Sequence, residues 1–262
     1  MIVRAIAGLV LACAIAVIAM HARALTRSGM VAAIILGTTA VAAGWAWGAL
    51  LFTFFFSATG WSHFQAENKA AQAGSRVAKS GARDSAQVLA NGGLFGVAAL
   101  LSLISPWDGW IAIGTGALAA ATADTWATEL GMLDWGGPPR LITNWQTVPV
   151  GTSGAVSRRG LLAALSGAVL IALLAAAFRW PPWVVVGATV GGVVGSLGDS
   201  VIGALWQRQC WCPRCQMGTE RAVHGCGTQT EHLRGVQWLD NDVVNLLCTL
   251  IGAIVALLFV VW

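Results

Sequence analysis

The sequence predicts an all-α fold, a polytopic membrane helix bundle with seven or eight transmembrane helices. Of its 262 residues, 57% are hydrophobic and only 10% are charged, whereas soluble domains carry about 25% charged residues. Mean hydropathy is +0.73, and the apolar runs do not alternate as the strands of a membrane barrel would. These observations exclude soluble enzymes, nucleic-acid-binding domains and disordered chains. We therefore treat 1–262 as one integral membrane domain.

A membrane-spanning helix needs about 20 predominantly apolar residues, and eight segments satisfy this requirement approximately. The second and third belong to one tract, 28–61, which is too long for a single untilted helix. We divide that tract near Gly44, although one helix or two are both compatible with the sequence. The predicted spans are 1–20, 28–44, 46–61, 86–106, 109–130, 160–179, 183–206 and 241–261.

The distribution of cationic residues predicts the orientation. Thirteen of the 15 Lys and Arg fall in the loops that follow spans one, three, five and seven. The positive-inside rule then assigns these loops to the cytoplasm and both termini to the outside, in what we expect to be a bacterial plasma membrane. The 13 residues are Arg23, Arg27, Lys69, Arg76, Lys79, Arg83, Arg140, Arg158, Arg159, Arg208, Arg214, Arg221 and Arg234.

Acidic and amide residues gather at the cytoplasmic ends of the predicted spans. Such residues inside spans are costly and are candidates for function, although each one alone could be a hydrogen bond between helices. Several uncompensated carboxylates would repel one another, so we expect Mg²⁺, which binds carboxylates, water and phosphates. The predicted Mg²⁺ ligands are Asp124, Glu129, Asp199, Asp240 and Asp242. The amides Gln87, Asn91, Asn241 and Asn245 and the cation Arg83 lie at the same depth and are candidates for substrate or nucleotide binding.

Span seven carries glycines at four-residue intervals, and Asp199 occupies one position of the series Gly187, Gly191, Gly195, Asp199 and Gly203. Small residues at this spacing let helix backbones touch. The ridge therefore predicts that Asp199 points into the bundle.

The loop between spans five and six contains Gly151-Thr152-Ser153-Gly154, followed by Arg158 and Arg159 at the start of span six. It does not match a Walker A motif. A glycine turn that leads into a helix N-terminus can nevertheless bind phosphate through backbone N–H groups. We predict that this turn, Arg140 and Arg158 bind nucleotide phosphates; a flexible loop with topology-setting arginines is the alternative.

Residues 207–240 form a predicted cytoplasmic loop that is rich in cysteine. Its Cys212-x₂-Cys215 pair and His224-x-Cys226 pair have the spacing of zinc ligands, and the reducing cytoplasm disfavours disulfides. We predict structural Zn²⁺ at these four residues, with Cys210 as a substitute ligand and unligated thiols as the alternative. Cys13 and Cys248 lie in spans and are expected to be inert core thiols.

Five further motifs stand out in the chain: Ala82–Gly93, Ala121–Gly131, Pro149–Gly154, Gly195–Ser200 and Trp238–Asn245. Together they resemble a family known as domain of unknown function 92, which includes animal transmembrane protein 19 and a plant phytyl-phosphate kinase of vitamin E synthesis. The resemblance covers about residues 28–262 and implies a kinase that converts an isoprenoid monophosphate to the diphosphate. The tract from Asp124 to Gly160 is also similar to CTP-dependent dolichol and phytol kinases, which implies CTP as the donor.

Three functional hypotheses follow. In the first, a prenyl phosphate lies with its chain between helices, Asp124, Asp199 and Asp242 hold Mg²⁺, and Arg83 with the loop arginines neutralises phosphate charge. In the second, the protein is a transporter or flippase. This hypothesis predicts an inverted repeat and helices that are broken at the midplane of the membrane. In the third, it is a non-catalytic scaffold whose acids each pair with an arginine.

Overall fold

The computed structural model describes residues 1–74, 76, 81–133 and 137–260, and most of them are helical. Lys79, one of the predicted loop cations, and the last residue of the predicted span 241–261 lie outside the described residues. The helices are α1 (Ile2–His21), α2 (Arg27–Ala43), α3 (Trp45–His63), α4 (Ala66–Ala73), α5 (Ser85–Ser102), α6 (Gly109–Gly131), α7 (Arg158–Ala177), α8 (Pro182–Leu205) and α9 (Asn241–Leu257).

A helix lies at each of the eight predicted spans. The division of the second tract is confirmed, because α2 ends and α3 begins at Gly44. Within the described residues, four helices, α1, α5, α7 and α8, are long and apolar enough to cross a membrane, and α2 and α9 are shorter apolar helices. The chain is thus a mostly helical membrane protein, while crossing by all eight helices stays a prediction.

The all-α prediction did not include the short strands that the loops contain. The described part of the chain also contains β1 (Arg140–Leu141) and β2 (Ala155–Val156), paired antiparallel, and the strands β3 (Gln209–Cys212), β4 (Met217–Thr219) and β5 (Glu231–Arg234). The last three form a sheet in the order β4-β3-β5. Strands of two to four residues carry no readable hydropathy period, and helix α4 was likewise not predicted.

Helix α6 is the centre of the bundle and packs against α3, α5, α7, α8 and α9. Its segment 114–123 is buried and consists largely of Gly, Ala and Thr. Small side chains allow the neighbouring backbones to approach closely. The bundle is therefore organised around one small-residue helix, and it places the C-terminal end of α6 among the ends of its neighbours.

Polar caps fix the helix ends near this region. Asp84 accepts a hydrogen bond from the Gln87 backbone N–H at 3.0 Å, and the Gln87 side chain accepts one from the Asp84 N–H at 3.2 Å, which forms a capping box for α5. Asp240 caps α9 by accepting from the N–H groups of Asp242 and Val243. Ser157 caps α7 in the same way.

Candidate functional site

A polar cavity of about 370 Å³ opens at the end of the bundle where α3, α6 and α8 finish and α5 and α9 begin. We call it the polar cavity. The structure brings most of the predicted acidic and amide residues to its walls, from helices far apart in the chain. Its lining includes Arg83, Gln87, Asn91, Asp124, Glu129, Asp199, Asn241 and Asn245. The expectation that side chains of α5, α6, α8 and α9 meet at one end of the bundle is therefore met by the geometry.

Asp124 and Asp199, which we call the carboxylate pair, lie at the inner wall of this cavity. One carboxylate oxygen from each and the sulfur of Cys248 lie within 4.8 Å of one another. Ser196 donates a hydrogen bond to Asp124 at 3.5 Å. The Oδ2 atom of Asp199 is buried and has no hydrogen-bond partner among the described residues. Within that part of the chain neither acid forms an ion pair, so the two carboxyl groups face each other without a protein cation.

Glycine packing explains why the pair meets. A Cβ on Gly195 of α8 would lie 2.6 Å from Ala120 Cβ of α6 and 2.8 Å from the Cys248 carbonyl of α9. A Cβ on Gly252 of α9 would lie 2.6 Å from both Ala120 Cβ and the Gly116 carbonyl. Only glycine permits these approaches. One turn beyond the contact, the next residues on the same helix faces are Asp124, Asp199 and Cys248. The close packing at the glycine ridge therefore brings the two carboxyl groups next to each other.

A second cavity of about 140 Å³ adjoins the first and shares Asp124, Asp199 and Asn241 with it. We call it the glycine-loop cavity, because Gly151, Thr152, Ser153 and Gly154 line it. Gly154 has a positive φ of 78°, and a Cβ there would lie 2.5 Å from the backbone nitrogen of Ala204. The Ser153 hydroxyl contacts Gln207 Oε1. The turn is thus held against the end of α8, next to the carboxylate pair.

On its other side the polar cavity continues into an apolar groove between α1, α2, α3 and α5. The groove shares Arg83, Gln87, Asn91 and Thr125 with the polar cavity. Its remaining lining is mostly aliphatic and aromatic: Ala12, Ile15, Ala16, Leu25, Ala33, Leu36, Leu51, Phe52, Phe54, Phe55, Val88 and Gly92. The groove has a volume of about 70 Å³, and its lining is polar where it meets the polar cavity and apolar elsewhere, which matches the polarity of an amphiphile's head and chain.

Arg83 lies where the groove meets the polar cavity. Its guanidinium donates to the Ala58 carbonyl at 3.3 Å and to the Thr59 hydroxyl at 3.4 Å. Burial lowers the pKa of Arg83, and the charge of Glu129 opposes that change. An arginine stays charged at neutral pH despite such a shift, so the mouth of the groove carries a fixed cation.

Glu129 does not belong to the carboxylate pair. It forms an ion pair with Lys69 of α4, and the hydroxyl of Ser62 also donates to it. Lys69 is buried, and its ammonium also donates to the carbonyl oxygens of Trp61 and Ser62. This cluster fixes α4 against the end of α3. Its existence gives Glu129 a structural role that the sequence did not indicate, and its predicted Mg²⁺ ligation stays a prediction.

Four predicted residues are not brought to these cavities. Arg140 and Arg158 are exposed, because the β1–β2 pair and the first turn of α7 leave them at the surface. Asp240 is the cap of α9, and Asp242 lies in the first turn of that helix. Among the described residues that line the two cavities, Asn241 is the one contributed by the α9 N-terminus. The predicted direct contacts of these four with phosphate or Mg²⁺ stay predictions.

The predicted zinc ligands Cys212, Cys215, His224 and Cys226 do converge. One ligand atom from each lies within 4.8 Å of the other three, although eight residues, which include β4, separate Cys215 from His224. Contacts of the Cys226 thiol with Thr228 and His224 lower the pKa of Cys226 to about 5. The nearby Cys226 side chain raises the pKa of Cys215 to about 11. Cys210, the proposed substitute ligand, is buried and does not join this group.

Sequence reasoning overlooked two residues of the site. Cys248 was interpreted as an inert core thiol, but it lies beside the carboxylate pair, on the α9 face that also carries Asn241 and Asn245. That seven-residue spacing was a usable signal. Lys69 was counted only as a loop charge, and nothing in the sequence indicates its ion pair with Glu129, since that contact depends on how α4 folds back.

Comparison with known proteins agrees with the sequence motifs. The chain matches the family described as "Integral membrane protein DUF92" over residues 10–253. An uncharacterized membrane protein of Methanocaldococcus jannaschii is 30% identical over 259 residues, which is 98% of this chain and 94% of that protein. Protein PGR of Arabidopsis thaliana is 30% identical over 87% of this chain and 86% of its own. The chloroplastic protein VTE6 of the same plant is 28% identical over 89% of this chain and 65% of its own. No solved structure matches.

Proposed function

Because the chain belongs to the integral membrane protein family DUF92, we propose that it is a membrane-embedded kinase for an isoprenoid monophosphate. It transfers the γ-phosphoryl group of a nucleoside triphosphate, with CTP as the first donor to test, to that monophosphate, and it releases a prenyl diphosphate and a nucleoside diphosphate. The resemblance of its motifs to a family that includes a plant phytyl-phosphate kinase supports the reaction class. The proposed site faces the cytoplasm, on the side of the cationic loops.

One observation carries the proposal. The carboxylate pair lies where three spaces meet: the polar cavity that contains it, the glycine-loop cavity and, through Arg83, the apolar groove. In our proposal the prenyl chain occupies the groove, and its phosphate lies near Arg83, Gln87 and Asn91. The nucleotide phosphates lie along the Gly151–Gly154 turn. The two phosphates then face each other across Asp124 and Asp199.

The residues present fit Mg²⁺. The Oδ2 atom of Asp199 is a buried acceptor without a hydrogen-bond partner among the described residues, and Asp124 approaches it without an intervening cation. Mg²⁺ characteristically takes one or two carboxylates and completes its coordination with water and substrate phosphates. When bound, the ion would supply positive charge to the transferring phosphoryl group. Cys248 is a soft ligand and would remain outside the coordination of this hard cation.

The protein then has little covalent chemistry to perform. A phosphate monoester is already largely ionised near neutral pH, so its oxygen attacks without a general base. Arg83 binds and neutralises the acceptor phosphate, the amides Gln87 and Asn91 orient it, and the backbone N–H groups of the glycine turn hold the donor. Positioning and electrostatic stabilisation provide the rate enhancement, as in phosphoryl transfer generally.

The activity is tested directly with the full-length protein purified in detergent. It is incubated with Mg²⁺, γ-labelled CTP or ATP, and phytyl, geranylgeranyl or farnesyl phosphate. We expect label in a prenyl diphosphate, and a rate that depends on both the lipid and Mg²⁺. Protein that binds the lipid phosphates but transfers no label from either nucleotide would contradict the proposal and favour a transport function.

The glycine turn offers a matched pair of variants. Gly154 and Gly137 have similar positive φ values of 78° and 80°, so alanine costs about 1–2 kcal/mol of backbone strain at either. At Gly154 the new Cβ also collides with Ala204, whereas at Gly137 no atom of the described residues lies within 4 Å. We expect Gly154→Ala to displace the turn and reduce transfer about tenfold or more, with a higher KM for the nucleotide.

Gly137→Ala is the control and should retain nearly all activity. The measurement is initial rate against nucleotide concentration at saturating lipid phosphate. Equal effects of the two substitutions would show that backbone strain alone is responsible, and would remove the turn from the proposed nucleotide site.

A further inference from the structure

The cysteine-rich loop between α8 and α9 contains a group of ligands that the kinase proposal does not use. We propose that Cys212, Cys215, His224 and Cys226 bind one structural Zn²⁺, and that this centre positions Glu220 at the wall of the glycine-loop cavity. Zinc in structural sites is bound tetrahedrally by four Cys and His side chains. Three cysteines and one histidine are present here, and no further ligand is needed.

The distances agree with that geometry. Zn–S bonds of about 2.3 Å place two sulfurs of a tetrahedron about 3.8 Å apart, and Cys212 Sγ and Cys226 Sγ are 3.7 Å apart. The His224 Nδ1 atom lies 3.2 Å from Cys226 Sγ. The Cys215 backbone N–H also donates to Cys212 Sγ at 3.5 Å, a contact that stabilises a thiolate. Thiolates and imidazole are the ligands that zinc prefers.

Burial gives a second, independent indication. His224 is only 5% exposed. Cys212 is fully buried. A small loop with few apolar side chains gains little from hydrophobic packing, so a metal is an effective means of fixing it. The ligand set is therefore more than a set of neighbouring thiols.

The proposed zinc ligands lie on both sides of Glu220 in the sequence. Cys212 ends β3 and Cys215 precedes β4, while His224 and Cys226 follow Glu220 by four and six residues. Glu220 lines the glycine-loop cavity together with Asp199 and Gln207. Its backbone N–H donates to the Arg76 carbonyl at 3.0 Å. With zinc bound, the segment that carries Glu220 is restrained at both ends, which fixes one wall of the cavity.

The metal content of the full-length protein tests the ligand set. Protein purified in detergent without chelators should contain about one zinc per chain, measured by plasma mass spectrometry. Cys212→Ser and Cys226→Ser should lower the content to about a tenth or less, because each removes a first ligand. Cys210→Ser is the matched control in the same strand and should keep the full content, since Cys210 is outside the group.

Wild-type protein with less than about a tenth of a zinc per chain, or equal content in Cys212→Ser and Cys210→Ser, would overturn the site. The wild-type measurement stands even if a variant fails to accumulate. Hydrogen exchange tests the positioning of Glu220: removal of zinc by a chelator should accelerate exchange of the Glu220 amide at least severalfold and leave α8 unchanged. Unchanged exchange at Glu220 would overturn the positioning role, and neither readout depends on kinase activity.

Discussion

Asp199→Asn is expected to abolish phosphoryl transfer while leaving the protein folded. The substitution removes one negative charge from the carboxylate pair and keeps the shape of the side chain. Loss of a group that stabilises transition-state charge typically costs about 10²–10³ in rate, and we expect at least about a hundredfold loss. The thermal unfolding midpoint in the absence of Mg²⁺ should stay the same or rise, because an amide replaces a buried carboxylate that has no ion-pair partner.

This combination of effects distinguishes a ligand from a structural residue. The control is Asp108→Asn at the opposite end of α6, where the side chain is exposed; it should change neither rate nor stability. Mg²⁺ should raise the unfolding midpoint of the wild type and of Asp108→Asn, and not that of Asp199→Asn. Near-normal turnover by Asp199→Asn, or a large drop in its stability, would remove Asp199 from the proposed Mg²⁺ site.

The helices were predictable because the bilayer imposes a strong and simple rule on sequence. A membrane helix needs a long apolar run, so the bounds of α1, α6 and α8 could be read within a few residues. The length of the tract 28–61 favoured a break near Gly44, although the sequence was also compatible with one helix there. The short strands of the loops were not, because β1 and β2 have two residues each, and their pairing depends on contacts that hydropathy does not encode.

The carboxylate pair was predictable for a related reason. Acids are so costly within membrane helices that Asp124 and Asp199 stood out individually, and the glycine ridge indicated which way Asp199 faces. The same reasoning could not determine which side chains at the start of a helix face the cavity. Asp240, Asn241 and Asp242 are adjacent in sequence, and which of them lines the cavity depends on where α9 begins, which is a matter of one residue.

The apolar groove lay entirely beyond sequence reasoning. Its walls come from α1, α2, α3 and α5, and a single hydrophobic residue in a membrane helix gives no sign of whether it faces lipid, another helix or a cavity. The proposed lipid site is therefore known only from the arrangement of these helices. It leads to the second large expected effect, a change in preference between long and short prenyl chains.

Ala33→Phe should reduce activity toward long prenyl phosphates far more than toward short ones. Ala33 lies on α2, is partly buried and lines the groove, so a phenyl ring there occupies the space proposed for the chain. Displacing four carbons from the groove would cost about 3 kcal/mol at about 0.8 kcal/mol per CH₂, or about a hundredfold in kcat/KM. Dimethylallyl phosphate, whose five carbons remain near Arg83, should lose little more than about twofold.

Val31→Phe provides the control, because Val31 lies on the same helix, is 54% exposed and does not line the groove among the described residues. Its kcat/KM values for long and short substrates should equal those of the wild type. The measurement is kcat/KM for geranylgeranyl and dimethylallyl phosphate at saturating nucleotide and Mg²⁺. An equal decrease for both substrates in Ala33→Phe would mean that the substitution disturbs the phosphate site, and an unchanged ratio would place the prenyl chain outside this groove. A ratio that shifts by about a hundredfold only in Ala33→Phe would identify the groove as the determinant of chain length, because the two substrates share the same phosphate head and differ only in the carbons that the groove would bury.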